Sequence, residues 1–199
     1  MKKKIVIIHG WGGSPKENWY RWLNAQLNKS GFEPKLPAMP DSLHPKINKW
    51  TAFLDKTVGE VDENTYLVGH SIGCQTILRY LEKLEPNKKI GGVLFVAGWM
   101  HLTDETWDQD YTPEIADQWL TTPIDFEKVK NHGNNFIAIQ SDDDPYVPIT
   151  DAKIFAEKLG AKIIKISNAG HISCEDSFET LPIALNSIKQ MISENIINV

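Results

Sequence analysis

Gly69-His70-Ser71-Ile72-Gly73 sets a serine between two glycines, after the apolar run Tyr66-Leu67-Val68 and before a helical pattern from Cys74 to Leu84. Strand, sharp turn and helix in that order fit the G-x-S-x-G nucleophile elbow. The chemistry needs this spacing. A serine wedged between strand and helix has its hydroxyl held out of the fold, and glycines leave no side chain where strand and helix pass closely. The Ile72 N–H then falls at the helix N-terminus, where unpaired donors and the helix dipole favour negative charge. Acyl transfer needs such a place for its developing oxyanion. By chance, a G-x-S-x-G turns up in about one chain of this size in twenty. Alone, the motif also describes a tight turn whose glycines serve packing.

A serine hydroxyl is a poor nucleophile near neutral pH. It needs a base within hydrogen-bond reach, and that base needs an orienting acid. In an elbow topology the chain order is serine, then Asp or Glu, then histidine. One strand candidate ends near Gln140-Ser141 and runs into Asp142-Asp143-Asp144-Pro145-Tyr146-Val147-Pro148. Another runs into Ser167-Asn168-Ala169-Gly170-His171. Asp144 is the chosen acid, because Pro145 and Pro148 stiffen the loop after it and Val147 can anchor that loop. Asp142 and Asp143 are its competitors, suited to capping the turn or accepting backbone N–H groups. By itself the run reads as a solvated acidic turn.

His171 is the chosen base, since Gly170 lets the chain turn there; it should titrate near neutrality. His70, inside the elbow, is expected to pack or hydrogen-bond locally, and His9 to shape the loop after the first strand. His44, His101 and His132 stand among polar residues and are expected at the surface. His101 is held in reserve because it follows the strand next to the elbow.

An oxyanion hole takes its second donor from the loop after the first strand. His9-Gly10-Trp11-Gly12-Gly13 supplies that loop, and the Trp11 N–H is assigned the role. Neither G-x-G-x-x-G nor a phosphate-loop pattern occurs there. No H-E-x-x-H and no paired C-x-x-C appears, so neither metal nor cofactor is expected. Trp99, Met100 and Trp119 are candidates to wall an apolar acyl pocket, with ordinary packing the alternative. Cys74 is expected as a buried thiol on the elbow helix. Cys174, three residues past His171, is expected at the surface or near the site.

These residues need elements to carry them. Ile5 to Ile8 is a continuous apolar run, as in a buried parallel strand. Helical spacing follows over 18–27, with Trp19, Trp22, Leu23 and Leu27, and over 46–58, with Ile47, Trp50, Phe53, Leu54 and Val58. Weak strand character at 33–36 lies between them. Strands are expected at 65–68, 92–97, 136–140 and 162–166, and helices at 149–159 and 181–197. The stretch from about 100 to 131 is polar and acidic, broken by Pro113 and Pro123, with room for short helices near 114–120 and 126–130. It reads as a short cap-like insertion in one domain spanning 1–199. Alternating strands and helices predict an α/β fold: a three-layer α/β/α sandwich on a parallel sheet. In such sheets a site forms beyond the carboxyl ends of the strands, where the candidate loops fall.

At 199 residues, 41% hydrophobic and 24% charged, the chain can bury a core. Its net charge of -5 offers no basic field for nucleic acid or an anionic membrane. No run approaches the roughly 20 apolar residues of a membrane span. Lys2-Lys3-Lys4 is followed by too short an apolar run for a signal peptide. Two cysteines form no disulfide framework. A cytoplasmic protein acting on a small molecule is expected, and nothing indicates a protein partner.

The chain resembles the α/β-hydrolase superfamily, and more narrowly the small serine hydrolases of the retinoblastoma-binding protein 9 family. The resemblance covers nearly the whole chain. It rests on the glycine-rich loop after the first strand, Asn18-Trp19-Tyr20-Arg21-Trp22-Leu23, Ala38-Met39-Pro40-Asp41, Val68-Gly69-His70-Ser71, Arg79-Tyr80, Ser141 to Pro148, and Gly170-His171. It implies a compact fold of about six parallel strands, without the antiparallel hairpin of larger relatives and with little or no lid. It also implies that the acid is the aspartate just before proline, Asp144. His9-Gly10 departs from the proline-glycine common in that family and matches the wider superfamily. The expected activity is serine hydrolysis, carboxylesterase-like, on a small acyl ester, thioester or amide. The alternative is a protein-binding module that keeps the fold with an idle triad.

Overall fold

The computed structural model describes residues 2–17, 19–108 and 111–197. Asn18, expected at the start of the first helix, lies outside the described residues, as do positions 109 and 110 of the polar stretch. The elements run β1 (Lys4–Ile8), α1 (Tyr20–Lys29), β2 (Glu33–Lys35), α2 (Ile47–Val58), β3 (Thr65–His70), α3 (Ile72–Leu81) and β4 (Gly92–Val96). A 3-10 turn (Asp104–Thr106), α4 (Pro113–Thr121) and α5 (Phe126–Lys130) precede β5 (Phe136–Ser141). The chain closes with α6 (Asp151–Leu159), β6 (Lys162–Ile166) and α7 (Pro182–Ile197).

One sheet takes the order β2-β1-β3-β4-β5-β6, with every neighbouring pair parallel. β3, β4 and β5 are buried along their whole length, which is why they read as unbroken apolar runs and not as alternating ones. The period of two still sorts their side chains between the faces. Ile5, Ile7, Tyr66, Val68, Leu94, Val96 and Ile139 pack with Trp19, Leu23 and Leu27 beside α1 and with Ala184 and Ile188 of α7. Val6, Ile8, Leu67, Phe95 and Ala138 pack on the other face with Trp50 and Leu54 of α2, Ile77 of α3 and Phe155 of α6. The result is a compact three-layer α/β/α sandwich. β1 sits between β2 and β3, so α1 and α3 leave adjacent strands for opposite faces. Loops that part company in this way open a crevice at the strands' carboxyl ends.

α4 is held to the body at its C-terminal end. Trp119 is buried, edge-on to Trp50 at 6.2 Å, and its Nε1–H donates to the Pro45 carbonyl at 3.0 Å. Arg79, buried on α3, donates to the carbonyls of Trp119 and Thr122, each at 2.8 Å. The last carbonyls of a helix lack partners within it, and a cation there also meets the negative end of the dipole. His132 departs from the expected surface position: it is buried, with Nδ1 donating to the Lys88 carbonyl at 2.8 Å. That bond joins the turn after α5 to the segment entering β4. Among the described residues, no helix is long and apolar enough to cross a membrane.

Candidate active site

Ser71 sits at φ 52°, ψ -123° between β3 and α3. Positive φ in a residue with a Cβ is uncommon and costs about 1–3 kcal/mol, so surrounding structure must enforce it. Here the Ser71 N–H donates to the Val96 carbonyl at 2.9 Å, and the Ser71 carbonyl accepts from Cys74 N–H at 2.9 Å. The flanking glycines are required by contact with backbone. A Cβ on Gly69 would stand 2.7 Å from the Cys74 nitrogen, and one on Gly73 would stand 2.5 Å from the Ile8 carbonyl oxygen. Main chain cannot give way as a flexible side chain could. Cys74 is buried, and burial pushes its thiol well up from the ordinary range.

Asp142, Asp143 and Asp144 all hold the loop that carries His171. Asp144 Oδ2 accepts from His171 Nδ1–H at 2.8 Å, while Oδ1 accepts from the Tyr146 and Val147 N–H groups at 2.9 and 3.1 Å. Its side chain is 1% exposed and that of His171 13%. An ionised carboxylate only accepts, so this bond puts the imidazole proton on Nδ1 and leaves the Nε2 lone pair free to take another. Asp143 Oδ1 accepts from Ser141 Oγ–H, Ala169 N–H and Gly170 N–H at 2.6, 2.8 and 2.9 Å. Asp142 accepts from Asn168 N–H at 3.0 Å, Ser167 Oγ–H at 2.8 Å and Lys165 Nζ at 3.2 Å. The Ser141 hydroxyl first, then the Gly170 N–H, holds the Asp143 carboxyl below its usual range. The Asn168 N–H, then the Ser167 hydroxyl, does the same for Asp142. So the two competitors of Asp144 brace the loop, and neither touches the imidazole.

A cavity of about 380 Å³ opens over Ser71 and His171. This volume lies within the range of small-molecule sites. One side is the Gly10–Gly13 loop; Trp99 and Tyr146 line it too, and Leu102, Glu105, Thr106, Asp108 and Tyr111 form a further wall. Among the described residues, the backbone N–H groups of Trp11 and Ile72 have no hydrogen-bond partner. Also among those residues, no hydrogen bond joins Ser71 Oγ to His171 Nε2. Such contacts are often long in substrate-free enzymes and tighten in the complex.

Of the three expected pocket walls, only Trp99 faces this cavity. Trp119 stands elsewhere because its ring is taken up by Trp50 and Arg79. Met100 packs against the core, drawn in by the turn it belongs to: its N–H and that of His101 donate to Asp151 Oδ2 at 2.6 and 2.8 Å. His101 does not reach the cavity lining; its Nδ1 pairs with the same buried Asp151 at 2.7 Å. Cys174 is exposed and lines the cavity. His9 shapes its loop, accepting from Met39 N–H at Nε2 (3.0 Å) and donating from Nδ1 to the Gly10 carbonyl at 2.8 Å. Burial lowers the pKa of His9.

Three residues at this site escape sequence reasoning: Tyr20, His70 and Trp19. His70 is buried and contacts both Tyr20 and the His171 carbonyl, not merely local groups. Its place in the elbow is a signal of sorts, but its partners come from distant loops that sequence spacing does not reveal.

Comparison with known proteins places the chain in a family. YdeN of Bacillus subtilis (strain 168) is 30% identical over 194 residues, 98% of each chain. Its crystal structure superposes with a TM-score of 0.88, over 96% of this chain and 100% of that one. The serine hydrolase RBBP9 of Rattus norvegicus is 28% identical over 181 residues, 89% of this chain and 91% of the rat protein. Est1E from Butyrivibrio proteoclasticus, in a structure with ferulic acid bound, shares the fold at a TM-score of 0.73 and 16% identity, over 98% of this chain and 90% of that one. The serine hydrolase family model matches residues 5–190, nearly the whole described body, and the chain belongs to that family.

Proposed function

We propose that the protein cleaves small acyl esters, thioesters or amides through an acyl-enzyme on Ser71, with carboxylic esters the preferred class. The observation that carries this reading is the 2.8 Å contact between buried Asp144 and His171, beside the cavity that also exposes the strained Ser71. His171 Nε2 takes the Ser71 proton as Oγ attacks the carbonyl carbon. The carbonyl oxygen becomes an oxyanion, held by the N–H groups of Trp11 and Ile72. Asp144 balances the imidazolium and keeps its ring oriented. The tetrahedral intermediate collapses, His171 returns the proton to the leaving alcohol, thiol or amine, and the acyl group stays on Oγ. Water then repeats the cycle: His171 takes its proton, the acid departs, and the serine is restored.

The size of the cavity supports a small acyl group over a peptide, which needs a groove. A fold shared with carboxylesterases, at a TM-score of 0.71 and 15% identity, is consistent with this preference. Ser71→Ala tests the reading. Turnover of p-nitrophenyl acetate is expected to vanish while the thermal midpoint stays nearly unchanged. Retained turnover would remove Ser71 from its role. A folded wild type that resists a fluorophosphonate probe at Ser71 would favour a binding module on the hydrolase fold.

A further inference from the structure

His171 lies between Gly170 at φ 51° and Ile172 at φ 52°, so the base rides on a backbone twisted into the left-handed region on both sides. For a β-branched isoleucine this region is a genuine outlier, and it persists only where other contacts impose it. Asp143 pins the loop on the N-terminal side, as described. On the other side, two consecutive carbonyls are held by side chains of a buried aromatic cluster. His70 Nε2 meets the His171 carbonyl oxygen at 2.9 Å, and Trp19 Nε1–H donates to the Ile172 carbonyl at 2.9 Å.

The His70 contact fixes its own chemistry. A carbonyl oxygen cannot donate, so Nε2 must carry the proton. The ring is neutral, its pKa pushed down to about 3, chiefly by burial and next by the charge of His171. Nδ1 is therefore a lone pair. It accepts the Tyr20 hydroxyl proton at 2.7 Å, while Tyr20 Oη accepts from Gly10 N–H at 3.3 Å. One chain of bonds thus joins the loop before Trp11, the elbow and the His171 loop. The rings are close as well: His70 and His171 centroids are 5.0 Å apart, and Trp19 stands edge-on to His70 at 5.8 Å.

We infer that His70 is a positioning residue for hydrolysis: locked by Tyr20 as the Nε2–H tautomer, it holds the His171 carbonyl and thereby aims the catalytic imidazole at Ser71. This rests on the reading of His171 as the base. His70 touches no reacting atom and acts only through His171. Its effect should fall on the chemical step, with substrate affinity spared.

The test compares inactivation by a fluorophosphonate, as kinact and KI, in full-length wild type, Ser71→Ala, His70→Leu, His70→Gln and Tyr20→Phe. Leucine fills space without a donor, whereas the glutamine amide can reach the same carbonyl. His70→Leu is expected to lower kinact by about 100-fold with KI little changed, the scale of loss for a displaced catalytic group. His70→Gln should recover most of that loss. Tyr20→Phe, which keeps the ring and unlocks the tautomer, should lower kinact by about five- to tenfold. A wild type labelled at Ser71, with folded His70→Leu matching its kinact, overturns the positioning role and leaves the hydrolase reading intact. Equal losses in folded His70→Gln and His70→Leu overturn it too. If His70→Leu fails to fold, an unchanged kinact in Tyr20→Phe is the refuting result. A folded wild type that is not labelled at all fails the hydrolase reading first, and the positioning role falls with it.

Discussion

Replacing His70 by glutamine takes a titratable ring out of a buried site while keeping a donor for the His171 carbonyl, and this should change how folding stability depends on pH. In the unfolded chain an imidazole binds a proton below about pH 6.5. In the folded protein His70 stays neutral down to about 3, because burial, and then the nearby His171 charge, opposes protonation. The unfolded state therefore binds more protons across that interval. Stability from this residue is fully present above pH 6.5 and is lost as pH falls toward 3. Between pH 7.5 and 5 the wild type should lose about 2 kcal/mol through His70 alone, a loss the glutamine variant cannot show. Urea denaturation of both proteins at pH 7.5, 6 and 5 measures the difference, with the slopes checked for constancy. His171 and His9 are the neighbouring groups whose charge bears on His70, and both remain in the variant. Parallel stability profiles for the two proteins would mean that His70 is not held neutral, and the tautomer argument would fail with it.

Asp144→Asn keeps the shape at His171 but removes the charge that balances an imidazolium and favours the wrong tautomer. Turnover should fall on the order of 10³–10⁴-fold with KM little changed, as measured by steady-state ester hydrolysis. Trp99→Ala and Trp119→Ala should separate: the first changes a cavity wall and should alter KM for aryl or acyl esters. The second removes a buried ring and should cost about 3–5 kcal/mol of stability, read in urea, with KM unchanged at temperatures where the variant stays folded.

The α/β order is legible because the central strands are buried on both faces. Val93-Leu94-Phe95-Val96 has no polar position to blur it, and such a run between turn signals can only be an interior strand here. The candidate site is legible in outline for a related reason. Ser71, Asp144 and His171 each follow a strand of one parallel sheet, so their loops share one edge whatever the details of packing. What escapes is whatever depends on a distant partner. Trp119 lies on a mostly polar helix and suggests a pocket wall, but Trp50 and Arg79 claim its ring. His132 sits between Asn131 and Gly133 and suggests the surface, but the Lys88 carbonyl draws it in. His70 occupies a position where the motif tolerates many residues, and nothing nearby in sequence announces Tyr20 or the His171 carbonyl. Asp142 and Asp143, by contrast, are legible as acceptors of backbone N–H groups, and each takes such donors from the loop after β6.

The wall residues Leu102, Glu105, Thr106, Asp108 and Tyr111 include none of the three proposed reacting side chains, yet their stretch is tied to the loop that carries Asp144: the Thr103 N–H donates to the Tyr146 carbonyl at 3.0 Å, and the Thr103 hydroxyl donates to the Pro145 carbonyl. A substitution in that wall is therefore expected to shift the footing of the acid as well as the doorway to the cavity.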